Sequence, residues 1–154
     1  MKSQNIIIGE RSNLSQTLKY KLKNSKIISS REILSFKQKK KKNYSKVNLI
    51  INSFYPSFKL QNPIDYDDFV KRSITTLTAV IDYFEVKKIN KIIYTSSSSV
   101  YNLNKNFDFY KTKLSNREIY SITKLLCEKI LIDFSNKNKI NLTIARLFNI
   151  YGGK

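Results

Sequence analysis

Tyr120 and Lys124 stand four residues apart in a segment with helical apolar spacing, so both side chains lie on one helix face. Ahead of them runs Thr95-Ser96-Ser97-Ser98-Ser99, a row of hydroxyls that directly follows a short apolar segment. A hydroxyl at a strand end, a phenol and an amine on the next helix form a Ser-Tyr-Lys constellation. An adjacent ammonium, with a cationic nicotinamide ring, would bring a tyrosine pKa from about 10 toward neutrality. The phenol would then serve as general base or acid toward a substrate hydroxyl or carbonyl, while a nicotinamide carries the hydride. A third group lies near the N-terminus, in Gly9-Glu10-Arg11-Ser12-Asn13-Leu14-Ser15. Its place between a strand and a helix is where a phosphate-binding turn would sit, with pyrophosphate on the helix N-terminus. Only Gly9 stands at a fingerprint glycine position; Ser12 and Ser15 occupy the other two. A serine-capped turn with no ligand has the same appearance.

Composition narrows the chemistry. The 154 residues contain no histidine and a single cysteine, Cys127. Histidine-dependent mechanisms and an internal disulfide are therefore excluded, and a zinc site is disfavoured; no metal is expected. No apolar run is long enough to span a bilayer. The start, MKSQNIIIGERSN, has too short an apolar core for a secretory signal, and a cytoplasmic location is the expectation. The net charge is +18. Lysine supplies most of it, scattered along the chain, with one dense run at Lys39–Lys42 that fits a solvated loop. Specific nucleic-acid contacts favour arginine forks, so the charge fits composition bias better than a nucleic-acid partner, while still suiting anionic ligands.

The elements that must position these groups alternate. Short apolar runs at Asn5–Ile8, Lys26–Ser29, Val47–Ile51, Lys91–Thr95 and Asn141–Leu147 predict strands. A helix of about ten residues is expected through Leu14, Leu18, Tyr20 and Leu22. A longer one runs from Asp65, Asp67 and Asp68 to about Lys87, with Phe69, Ile74, Leu77, Val80, Ile81 and Phe84 on its apolar face. Another covers Ile119–Phe134, with Ile122, Leu125, Leu126, Ile130 and Phe134 inward. Ser30–Ser45 is polar and short. Strands alternating with helices predict one α/β domain over residues 1–154, a doubly wound parallel sheet of about five strands. Ligands of such sheets bind at the carboxyl ends of the strands.

Four stretches, IIIGERSNLSQTL, KIIYTSSSSVYN, YSITKLLCEKIL and ARLFNIYGG, resemble in order those of the extended short-chain dehydrogenase/reductases, the NAD-dependent epimerase/dehydratase family. The resemblance implies a Rossmann-like domain and an NAD(P)-dependent epimerase or oxidoreductase acting on a nucleotide sugar. It places the catalytic hydroxyl at Ser97, the general base at Tyr120 and the lysine that holds the nicotinamide ribose at Lys124. It implies cofactor contacts at Gly9, Ser12, Asn13 and Leu14, and substrate contacts at Ser97, Ser98 and Asn149. Dehydratases of the group carry an Asp-Glu pair after the catalytic hydroxyl; Ser98 and Ser99 stand there, which argues against dehydration. The acid expected after the second strand is absent: Ser30 takes its place, followed by Arg31. An arginine there would favour a 2′-phosphate, hence NADP over NAD, or be an ordinary surface residue. The short step from the second strand to Val47 implies loss of one strand-helix unit, and Asn52-Ser53-Phe54-Tyr55 replaces an alanine-rich strand end. Family members are longer and carry their substrate domain mostly C-terminally, so the chain is expected to be a cofactor-domain fragment or truncated form that lacks that domain. Exposed apolar surface would then favour self-association, such as a homodimer through the long helices. The alternative is a non-catalytic Rossmann-like domain that binds nucleotide weakly or serves as an interaction surface.

Overall fold

Five short runs rich in apolar residues form strands in the computed structural model, which describes residues 3–35, 44–52, 66–103 and 115–149. They are β1 (Gln4–Ile8), β2 (Ser25–Ile28), β3 (Val47–Ile51), β4 (Ile89–Ser97) and β5 (Asn141–Leu147). Helices α1 (Asn13–Lys21), α2 (Ser30–Ser35), α3 (Tyr66–Tyr83) and α4 (Asn116–Asn138) alternate with them. Every strand pair is parallel, and the spatial order is β2-β1-β3-β4-β5. Consecutive strand residues face opposite sides of a sheet, yet Ile6, Ile7 and Ile8 are all fully buried. Both faces of β1 are therefore covered, as a doubly wound parallel sheet requires. The core joins Ile6 and Ile8 to Leu49, Ile51, Leu77, Val80, Phe84, Ile92 and Leu131.

The chain leaves β1 toward β2 and returns on the other side of β1 as β3. The topological switch point is thus the crevice between the carboxyl ends of β1 and β3. The order also equals a 3-2-1-4-5-6 arrangement without its strand 3, in line with the short step between the second and third strands. Among the described residues no strand lies outside β2.

The structure adds local detail and corrects one expectation. The polar segment after β2 forms α2, with Ser29 Oγ accepting the Glu32 amide at 3.0 Å and Ile33 buried. Six residues with one fully buried apolar position are too few to show a helical period. Tyr20, on α1 as expected, is 86% exposed, and the single fully buried residue of α1 is Ser15. On α4, Leu126 is 44% exposed, against expectation, whereas Ile130 and Phe134 are half-buried and pack against the core, and Ile122 and Leu125 are half-buried. The stripe turned fully inward is Ser121, Lys124, Glu128, Leu131 and Ser135, with Thr123 and Cys127 beside it. Its 3-4-3-4 spacing is a true helix face, but a polar one, so hydrophobicity alone selects its neighbour. A capping box fixes where α4 starts: Ser115 Oγ accepts the Glu118 amide and the Glu118 carboxylate accepts the Ser115 amide at 2.8 Å.

No described helix is long and apolar enough to cross a membrane. Lys39–Lys42, Ser53–Tyr55, Asp65 and Ile150–Gly152 lie outside the described residues.

Candidate active site

Ser97 is the last residue of β4, and it caps a 3-10 turn at Ser98–Asn102. Both the main-chain amide of Ser99 (3.2 Å) and its hydroxyl (3.0 Å) donate to Ser97 Oγ. The Tyr120 phenol, half-buried on α4 and packed against Phe69 with ring centroids 5.9 Å apart, lies close enough for the Ser97 hydroxyl to act on it. Burial pushes the Tyr120 phenol above its ordinary value, and the Ser97 hydrogen bond pulls against it. The expected lowering by Lys124 is not what this arrangement gives. The Lys124 Nζ lies 5.9 Å from the Tyr120 ring centroid and directs its hydrogen bond to the Thr95 carbonyl at 3.0 Å, and desolvation dominates.

Lys124 is 8% exposed and stands over the ring of Tyr94 as well, 5.1 Å from its centroid. Burial brings its ammonium down to about 8, with Cys127 and Glu128 pulling the other way. At neutral pH the amine is still mostly cationic. Glu128, one turn further along the same face, is itself buried and takes a bidentate fork from Arg146 of β5, at 3.0 and 2.7 Å. Burial pushes the Glu128 carboxyl up, but the Arg146 fork leads the contributions that outweigh it and hold it below the ordinary carboxylate range. Arg146 also covers the ring of Tyr101, 4.6 Å away, and Tyr101 stacks on Phe148.

At the switch point Gly9 has φ of 110°, a conformation that a Cβ would strain. Ser12 is the N-cap residue of α1 but makes no capping bond; Asn13 and Leu14 form the first turn. Asn52, just past β3, donates to Ser12 Oγ at 3.0 Å and to Ser15 Oγ at 2.9 Å. Its carbonyl oxygen accepts from the Thr95 hydroxyl at 2.8 Å.

Because all strands are parallel, Gly9, Asn52, Ser97 and Asn149 stand at or just past the carboxyl ends of β1, β3, β4 and β5. The structure brings Ser97 to Tyr120 and Tyr120 to Lys124, and it ties Ser12 to the same strand ends through Asn52. Ser98 follows Ser97 in the 3-10 turn. Arg31 is exposed on α2, beyond β2 and across β1 and β3 from Ser97. Asn149 is exposed, two residues past β5. Sequence reasoning gave no site role to Asn52 or Glu128, and it took Thr95 only as the head of the hydroxyl row. The one signal pointing to Glu128 is its spacing of four from Lys124; Asn52 is marked only by its place at the end of the third strand. No group of three metal-ligating side chains occurs among the described residues.

Comparison with known proteins follows from this geometry. The sequence model of the NAD dependent epimerase/dehydratase family matches residues 19–154. No curated protein matches the chain. Among solved structures, a GDP-D-glycero-L-gluco-heptose synthase from Campylobacter jejuni, in the presence of NADPH, is similar with a TM-score of 0.69 and 12% identity, over 99% of this chain and 49% of its own. A short-chain dehydrogenase/reductase superfamily protein from Agrobacterium tumefaciens with bound NAD has a TM-score of 0.65 and 12% identity, over 93% and 48%. A UDP-N-acetylglucosamine 4-epimerase from Methanobrevibacter ruminantium, in complex with UDP-N-acetylmuramic acid, has a TM-score of 0.55 and 21% identity, over 99% and 57%. At these identities the likeness concerns the fold. The chain spans about half the length of the solved structures it matches.

Proposed function

The chain belongs to the NAD dependent epimerase/dehydratase family, and on that premise we propose that residues 1–154 form an NAD(P)-binding domain that oxidises or reduces a nucleotide sugar. The residues at the switch point fit a dinucleotide. Gly9 leaves backbone open to close approach at φ of 110°, and Ser12 makes no bond to the first-turn amides of α1. Those amides suit a pyrophosphate, with Gly9, Ser12, Asn13 and Leu14 as its contacts. Lys124 would hold the nicotinamide ribose. Arg31 would stand near a 2′-phosphate in NADP.

A bound nicotinamide supplies the hydride acceptor or donor. The chain's own part is proton transfer and orientation. Ser97 donates a hydrogen bond to the reacting substrate oxygen. Tyr120 takes the proton from that oxygen during oxidation and returns it during reduction. Ser98 and Asn149 would contact the sugar nucleotide. With serines at positions 98 and 99, redox chemistry or epimerisation is favoured over dehydration.

The placing of Ser97, at the end of β4, beside the Tyr120 phenol, with Lys124 Nζ 5.9 Å from the same ring, carries this reading. Calorimetric titration with NAD⁺, NADH, NADP⁺ and NADPH tests it; the expected result is binding of at least one, and absence of heat at millimolar ligand overturns it. One observation favours a second reading, a domain that binds nucleotide without turnover: the Tyr120 phenol is raised, not lowered, and a protonated phenol is a poor base at neutral pH. Binding without conversion of UDP- or GDP-sugars would select it.

A further inference from the structure

Asn52 is 5% exposed and saturated with bonds that cross the switch point. Its main-chain amide donates to the Ile8 carbonyl of β1 at 3.0 Å. Its side-chain amide donates to both serines of the β1–α1 loop, and its side-chain oxygen accepts from Thr95. The carbonyl of Thr95 in turn accepts from Lys124. One side chain therefore sets the nucleotide loop against the strand that holds the amine.

The bonds to the serines have a chemical consequence. An N-cap serine ordinarily turns its Oγ onto a first-turn amide of its helix. Ser12 does not, and its Oγ accepts from Asn52 instead. The first-turn amides are thereby left without a Ser12 cap, and the Ser12 hydroxyl keeps its own proton to donate. Ser12 is half-buried, whereas Ser15 is fully buried and has its hydroxyl satisfied by the same amide. Without Asn52, a buried hydroxyl at the Ser15 position would lack that partner, at a cost.

We propose that Asn52 is a positioning residue for a dinucleotide pyrophosphate: it holds Ser12 and Ser15 so that hydroxyl and amide donors serve where two fingerprint glycines would stand. This rests on the nucleotide-binding reading above and names how this chain meets it.

The test is calorimetric titration with ADP-ribose, which carries the pyrophosphate and no nicotinamide, on the wild type, Ser12→Ala, Asn52→Ala and the double variant. Each single variant is expected to weaken binding by about tenfold, and the double variant no more than either alone. Adenosine, which lacks the pyrophosphate, should bind all four alike by NMR titration, a readout that general loosening of the fold would shift. Ser12→Ala sits on a half-buried loop position and preserves a testable protein if Asn52→Ala fails to fold; its unchanged affinity would overturn the proposal. So would additive losses, or an Asn52→Ala protein that binds ADP-ribose as the wild type does. A wild type that binds neither ADP-ribose nor any nicotinamide dinucleotide would overturn the underlying reading as well.

Discussion

The Lys124 ammonium donates to the Thr95 main-chain carbonyl across 3.0 Å, which registers α4 against the strand that ends in Ser97. This bond accounts for the rotation of the helix. With Lys124 turned onto β4, residues 121, 128, 131 and 135 must follow it inward, and the apolar positions between them are left at the flank. A buried amine thus sets which helix face meets the sheet, and it has a measurable price in pH dependence.

Burial lowers Lys124 from its ordinary 10.5 to about 8. Between these values the unfolded chain holds a proton that the native chain has released, so this group makes stability rise with pH across that window. Its contribution totals about 3 kcal/mol. Denaturant titrations from pH 7 to 10.5 on wild type and Lys124→Met should show the difference between them growing in favour of the wild type by that amount. Tyr94 and Cys127, both raised by burial, act in the opposite sense above about pH 9 and largely cancel in the difference. A flat difference would contradict a buried ammonium.

Tyr120→Phe removes the exchangeable proton while keeping the ring against Phe69. Turnover should fall by about 10²-fold or more, with melting temperature and dinucleotide affinity near those of the wild type. Turnover retained within a fewfold would remove Tyr120 from the proton-transfer role.

The Ser97 hydrogen bond lowers the Tyr120 phenol against the larger effect of burial. Ser97→Ala should therefore move the Tyr120 titration to higher pH. Ser99→Ala should move it less, since Ser99 only fills the acceptor positions of Ser97 Oγ. The phenolate absorbance of each protein minus that of its Tyr120→Phe counterpart isolates this group. A shift to lower pH in Ser97→Ala would refute the contact.

The Glu128–Arg146 pair is unequally buried, with side-chain exposures of 2% and 28%. Arg146→Met strands a buried carboxylate and should cost about 3–5 kcal/mol at neutral pH. Glu128→Gln leaves an arginine that reaches water and should cost about 1–2 kcal/mol. In the wild type the lowered Glu128 contributes stability above its ordinary pKa, and that contribution disappears as pH falls through the folded value. In Arg146→Met the leading influence that lowers the carboxyl is gone, burial is opposed only by Ser96 and Lys129, and acidification should restore part of the loss. Equal costs for the two variants would show that the pair is not buried as described.

The backbone plan was legible because it is written in local patterns. Val47–Ile51 and Asn141–Leu147 have the same ends in sequence and structure, since short β-branched runs flanked by polar residues have few other uses. The Tyr120–Lys124 spacing likewise requires a shared helix face whatever surrounds it. Leu126 faces outward against expectation, because periodicity ranks faces by hydrophobicity and the inward face of α4 carries Lys124 and Glu128. Nothing near Asn52 in the chain marks it as a hub. Its partners Ser12 and Thr95 lie forty residues before it and forty-three after it, and they meet only because β1, β3 and β4 are neighbours in the sheet. Local propensity acts over a few residues, whereas the burial and hydrogen bonds that rotate α4 and converge on Asn52 exist only once strands distant in the chain have paired.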